Sequence, residues 1–198
     1  AILSTGAASS GNSGSLYIGS GAATTGRSGS VYVTAGTGDS GSGGEITITA
    51  GTSTAGATGG RMSIVTGFSS TSTSGALLLR THDAGSEGES GHLVLSTGYG
   101  TSGNSGALYL GSGAATKGRG GSVYVTVGSG NSGSGGEMKL MAGSSSGATG
   151  GRLSVISGVG GGTTSGALVL QTANAAAASG MAILSTGAAS SGNSGSLY

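Results

Sequence analysis

The chain has 198 residues, of which 48 are Gly, with no Pro, Cys or Trp and a formal net charge of +1. Without Pro or a strict G-X-Y period it is not collagen, and its seven Lys and Arg are scattered, with no basic stripe for nucleic acid. Disorder calls for high net charge and few β-branched residues, whereas Val, Ile and Leu return here at fixed intervals.

In chain order the elements are copies of one short unit. The chain opens in mid-repeat with AILSTG and continues as SLYIGSGAATTGRSG, SVYVTAGTGDSGSGG, EITITAGTSTAGATGG, RMSIVTGFSSTSTSG, ALLLRTHDAGSEGESG and HLVLSTGYGTSGNSG. The series then begins again at residue 107 with ALYLGSGAATKGRGG. Six units form a first half over 1–91, six more a second half over 92–180, and 181–198 starts a further copy. Residues 1–17 return unchanged at 182–198. With no capping signal at either end, this predicts a single continuous array cut from a longer one, read as a mature or excised segment.

Each unit reads x-Φ-x-Φ-x-small-Gly, then a tail of small residues, then Gly. The alternation in Leu16 and Ile18, Val31 and Val33, Ile46 and Ile48, and their later counterparts predicts a strand with one buried face. The recurrent glycines, Gly21, Gly36 and Gly51 at the seventh place and Gly14, Gly29 and Gly44 before each unit, predict corners with positive φ. His82 and Ala173 stand where the seventh Gly is missing, so those two corners are expected to be irregular.

A unit this short cannot bury its apolar face alone, so the expected fold is all-β. It is a flattened, open-ended β-solenoid resembling a parallel β-helix, with about 15 residues per coil. One unit per coil sets Glu45 beside Arg61, Glu137 beside Arg152, Tyr17 beside Tyr32 and Tyr109 beside Tyr124 as assembly or ladder contacts. Two units per coil, with opposed apolar faces, is the alternative. The third place of the strand runs Tyr17, Tyr32, Thr47, Ser63, Leu78, Val94, Tyr109, Tyr124, Lys139, Ser154 and Val169. That stripe is too apolar for a plain solvent face and predicts self-association or lateral packing with like chains, or packing against another part of the same protein.

Motifs that would carry chemistry are weak. GSGNSG at 128–133 fits G-x-G-x-x-G, but no helix pattern or acidic residue follows at the required distance. Asp39 in GTGDSGSGG is replaced by Asn131 in the sister half, unlike the recurrent Asp of calcium-binding nonapeptides. His82, Asp83, Glu87, Glu89 and His92 are the densest polar set, yet the sister run QTANAAAASG lacks them all. No Ser, His and Asp recur in a triad-like setting. The sequence therefore predicts no enzyme, cofactor or metal site. No apolar run reaches the length of a membrane span. No N-glycosylation sequon occurs, although abundant Ser and Thr would permit O-linked glycans.

The xΦxΦ-x-[ST]-G run with its GNSGS turns resembles the Gly/Ser/Thr-rich β-solenoid repeat proteins of cell surfaces, in stramenopile and other algal extracellular proteins and in bacterial adhesin stalks. The resemblance spans the whole chain and transfers no functional residue. It implies a structural part of an extracellular filament or fibre, or else the stalk of a surface adhesin or carbohydrate-binding protein. An ice-binding solenoid would need repeated T-x-T faces; only Thr47 and Thr49 supply one, and Lys139 and Met141 replace them in the sister half.

Overall fold

A computed structural model describes all 198 residues. No residue lies in a helix or a strand, and bends are the recurring local feature. The expected β-solenoid is therefore not the fold. In a stack with one unit per coil, every residue would lie about 4.8 Å from its counterpart one unit on. Instead, close approaches of the backbone are almost all between residues fewer than twelve apart. No side chain is buried, and the accessible surface is 19299 Å², against about 8,000 Å² for a compact chain of this length. The alternation signals one covered face, but a unit with two aliphatic residues does not offset the ordering of its own backbone. Nothing within the chain supplies the rest of the cover.

The fifteen-residue period nonetheless governs local structure. Bends fall at Ser9–Gly11, Thr24–Gly26, Asp39–Gly41 and Thr54–Ala57, and later at Thr116–Gly118, Asn131–Gly133 and Ser146–Ala148. Each marks the tip of the small-residue tail. Around it the tail forms a closed loop in the manner of an Ω-loop, whose two ends meet. The preceding residues, such as 45–49, form what is called here the arm.

Two kinds of hydrogen bond clip the loops shut. In one, the glycine before the next unit donates its N–H to the carbonyl of the seventh-place glycine. Gly44 bonds Gly36 at 2.9 Å, Gly60 bonds Gly51 at 2.8 Å and Gly75 bonds Gly67 at 3.0 Å in this way. In the other, a hydroxyl at the sixth place donates to the carbonyl of the glycine before the next unit. Thr5 reaches Gly14 at 2.9 Å and Ser20 reaches Gly29 at 2.7 Å. Each clip is an isolated contact and not the first rung of a ladder, because the bonded pairs are never continued into the arms.

At the tightest junctions the glycine before the unit owes its place to close approach, and none of these glycines has the positive φ expected from the sequence. A Cβ on Gly29 would lie 2.9 Å from the Cβ of Ser20, and one on Gly44 would lie 3.0 Å from the Cβ of Ala35. At Gly60 the obstruction is backbone, with Gly51 N at 3.0 Å. Left-handed backbone occurs at only five glycines, and four of them, Gly11, Gly26, Gly56 and Gly192, lie in the bends at loop tips. The fifth, Gly6, is a seventh-place glycine with φ 78°. The close pairing therefore leaves no room for a side chain before the next unit, even where the sixth place holds Val127 opposite Gly136.

The chain divides into two units, Ala1–Gly98 and Tyr99–Tyr198. The first contains the clips ending at Gly14, Gly29, Gly44, Gly60 and Gly75. The second contains those ending at Gly121, Gly136, Gly151 and Gly166. In the second, Gly121 is held twice, by Gly113 at 3.4 Å through its N–H and by the Ser112 hydroxyl at 2.7 Å through its carbonyl. Ser69 and Ser145 brace two loop tips by accepting from the amides of Ser72 and Ala148, both at 3.0 Å.

Candidate assembly surface

The functional candidate is built on the arms. Their apolar alternation survives as alternate exposure: Leu77 is 54% exposed, Leu78 77% and Leu79 55%. The first and third aliphatics are half covered, while the residue between them stands free. The clips leave the arms undisturbed because all the slack of a unit is gathered into its loop. The middle residue is likewise the most exposed at 16–18, 31–33, 93–95, 108–110 and 123–125, but not at 168–170, where Leu170 is 84% exposed.

The four tyrosines singled out by the sequence all sit at that free place. Tyr17 and Tyr109 are 92% and 90% exposed, and Tyr32 and Tyr124 are each 86% exposed. A ring stacked on a neighbour would lose much of one face, so none of these rings is stacked within the chain. Packing of the stripe against another part of the same protein is thereby overturned; packing against another chain is a separate matter.

Glu45, Arg61, Glu137 and Arg152 occupy the first place of their arms and are exposed. No ion pair joins Glu45 to Arg61 or Glu137 to Arg152. Glu45 instead accepts a bond from the Thr47 hydroxyl at 3.0 Å, two residues along its own arm. The backbone of the arms is equally unengaged, since every backbone–backbone bond present is a clip between glycines. The residues of this candidate surface are those the sequence singled out, whereas the sixth-place residues Thr5, Ser20 and Ser112, which close the loops, were missed. The signal was available: a small residue recurs there in most units, with a Gly eight to ten places on.

The polar set at 82–92 does not converge. The His82 ring nitrogen Nδ1 lies 3.3 Å from the carbonyl of its neighbour Asp83, and no group of three or more His, Cys, Asp or Glu is arranged to hold a metal ion. The molecule has no detectable cavity, and no helix is long and apolar enough to cross a membrane. No family model, curated protein or solved structure matches the chain.

Proposed function

We propose that the chain is a non-catalytic structural component of an extracellular filament or fibre, and that it works by associating with copies of itself. The carrying observation is the uncovered face of the arms, where Leu, Val, Ile and Tyr side chains repeat at a fixed interval and remain in solvent. Apolar side chains repeated in this way and left in solvent favour cover by a partner. Free N–H and C=O groups on the same arms add a directional way to bind a neighbour. Tyr17, Tyr32, Tyr109 and Tyr124 are the anchors of this contact, since aromatic rings contribute the most area per residue.

A secreted array of this kind needs no pocket. Its small-residue loops keep bulk away from the arms, so that neighbours can approach the apolar stripe. The test is analytical sedimentation of the purified chain over a wide concentration range, followed by electron microscopy. The expected result is concentration-dependent growth into elongated assemblies. A chain that stays monomeric up to near-millimolar concentration overturns the proposal. Replacing the four tyrosines by Ser should raise the concentration needed for assembly by at least about tenfold, as each buried ring contributes at least several tenths of a kcal/mol beyond its area.

A further inference from the structure

The arms are not interchangeable on their free side. Reading first and third places together, the first half runs Ser30 and Tyr32, Glu45 and Thr47, Arg61 and Ser63, Ala76 and Leu78. The second half repeats the order as Ser122 and Tyr124, Glu137 and Lys139, Arg152 and Ser154, Ala167 and Val169. The second and fourth places are the more covered ones at 16–18, 31–33 and 123–125, and on that alternation the first and third places share the other side. Each half therefore carries, on one side, an acidic arm followed directly by a basic arm. All four charged residues are exposed and unpaired within the chain.

Resting on the self-association proposed above, we infer that a second copy of this chain docks parallel to the first and displaced by one repeat unit, so that each Glu arm lies against the partner's Arg arm. Three arrangements of two copies are worth weighing. In a parallel pair without displacement, Glu45 faces a second Glu45 and Arg61 a second Arg61. The same happens at Glu137 and Arg152, and Lys139 also meets its like. Like charges directly opposite destabilise a pair of arms. In an antiparallel pair the arm direction reverses, and the first residue of one arm meets the fifth of the other. Glu45 then faces Val65 and Arg61 faces Thr49; a charge is matched only in the register that brings Glu45 to Arg80, and the sister half has Gln171 there and cannot repeat it.

Displacement by one unit removes the conflict. Glu45 then meets Arg61 of the second copy, and Glu137 meets its Arg152. Tyr17 meets the second Tyr32, Tyr109 the second Tyr124, and Leu78 the second Val94, so the aromatic and aliphatic arms are also placed like with like. The cost falls on the flanks, where Tyr32 meets Thr47 and Ser63 meets Leu78. A translation without a two-fold axis is a heterologous contact; it never closes and so adds copies indefinitely. The aliphatic side of the arm, nearly uniform from unit to unit, sets no register. The charged pair does.

Two experiments test this, and both use the full chain. The first mixes wild type with a charge-exchanged variant carrying Glu45→Arg, Arg61→Glu, Glu137→Arg and Arg152→Glu, each chain bearing a different fluorophore. Under one-unit displacement each chain assembles with itself, but mixed contacts oppose Glu to Glu and Arg to Arg. The expected result is sorting, with mixed neighbours about tenfold rarer than random mixing gives. Preferential co-assembly would show the undisplaced arrangement, and indifferent mixing would show that charge sets no register; either overturns the inference while leaving self-association intact. Failure of the wild type to assemble at all overturns the parent proposal.

The second experiment uses the absence of native Cys. Chains carrying Ser63→Cys are mixed with chains carrying Leu78→Cys and oxidised after assembly. The displaced pair brings residue 63 of one chain to residue 78 of the next, within reach of a disulfide. The cross-linked product should be the mixed dimer. Dimers of each variant with itself would indicate no displacement, and the absence of any cross-link at these places would exclude the displaced pairing.

Discussion

Units 45–60 and 76–91 begin alike and end differently. In the first, Gly60 donates to the carbonyl of Gly51 at 2.8 Å and the loop is shut. In the second, His82 stands at the seventh place and no such clip is present. Gly91 still faces the sixth-place residue, Thr81, but a Cβ there would be 3.6 Å from the nearest atom, an ordinary contact. The sister unit 167–180, with Ala173 at the seventh place, has a similarly loose Gly180, whose nearest neighbour would be Thr172 Cγ2 at 3.9 Å. Both glycines are needed to bring the loop ends together, and a side chain at the seventh place accompanies a relaxed junction.

The most damaging change should strike the tight junction only. Gly60→Ala forces its Cβ against the backbone of Gly51 and should open the loop at a cost of about 1–3 kcal/mol. Gly91→Ala should be close to neutral. Amide exchange at residue 60, fast in the first variant and slow in the wild type, is the measurement; equal tolerance at both sites would break the comparison. A second contrast lies between sister loop tips. Gly26 has φ 109°, whereas Gly118 has no left-handed backbone. Gly26→Ala should cost about 1–2 kcal/mol in local loop stability, while Gly118→Ala should be neutral or slightly stabilising. Loop dynamics measured by NMR relaxation would separate them.

A smaller effect is expected from the hydroxyl clips. Ser20→Ala should loosen its loop by about 1 kcal/mol. Ser112→Ala should lose less, because Gly121 is also bonded to Gly113. The smallest change runs the other way. His82→Gly should remove the side chain that keeps the carbonyl of residue 82 from the Gly91 amide and slow exchange of that amide, with a gain under about 1 kcal/mol after the flexibility of the added glycine is counted. If Gly91 stays fast in that variant, the seventh place does not control the junction.

Much of this was legible in the sequence, though for partly different reasons. The period was visible in the recurrence of LYIGSG as LYLGSG, and it returns as the spacing of the bends. The glycines were legible as required positions, but their cause was not. Positive φ and close approach both select Gly, and only coordinates tell Ser20 against Gly29 from a left-handed corner. The solenoid was inferred from alternation such as Leu16-Tyr17-Ile18, which states that one side prefers cover without stating who provides it. The candidate surface was legible because Tyr17 and Tyr109 are large apolar residues where a solvent-facing strand would carry polar ones.

The clips also bear on how such a gene product changes length over generations. Every clip closes within one unit, so no clip bond crosses from one repeat to the next. Unequal recombination between near-identical copies adds or removes whole units without breaking a bond in those that remain. A tail one residue longer is taken up inside its own loop, as the sixteen residues of 45–60 show, where Gly60 still bonds Gly51. Length is thus a variable that mutation can tune while the surface pattern along the arms stays in phase.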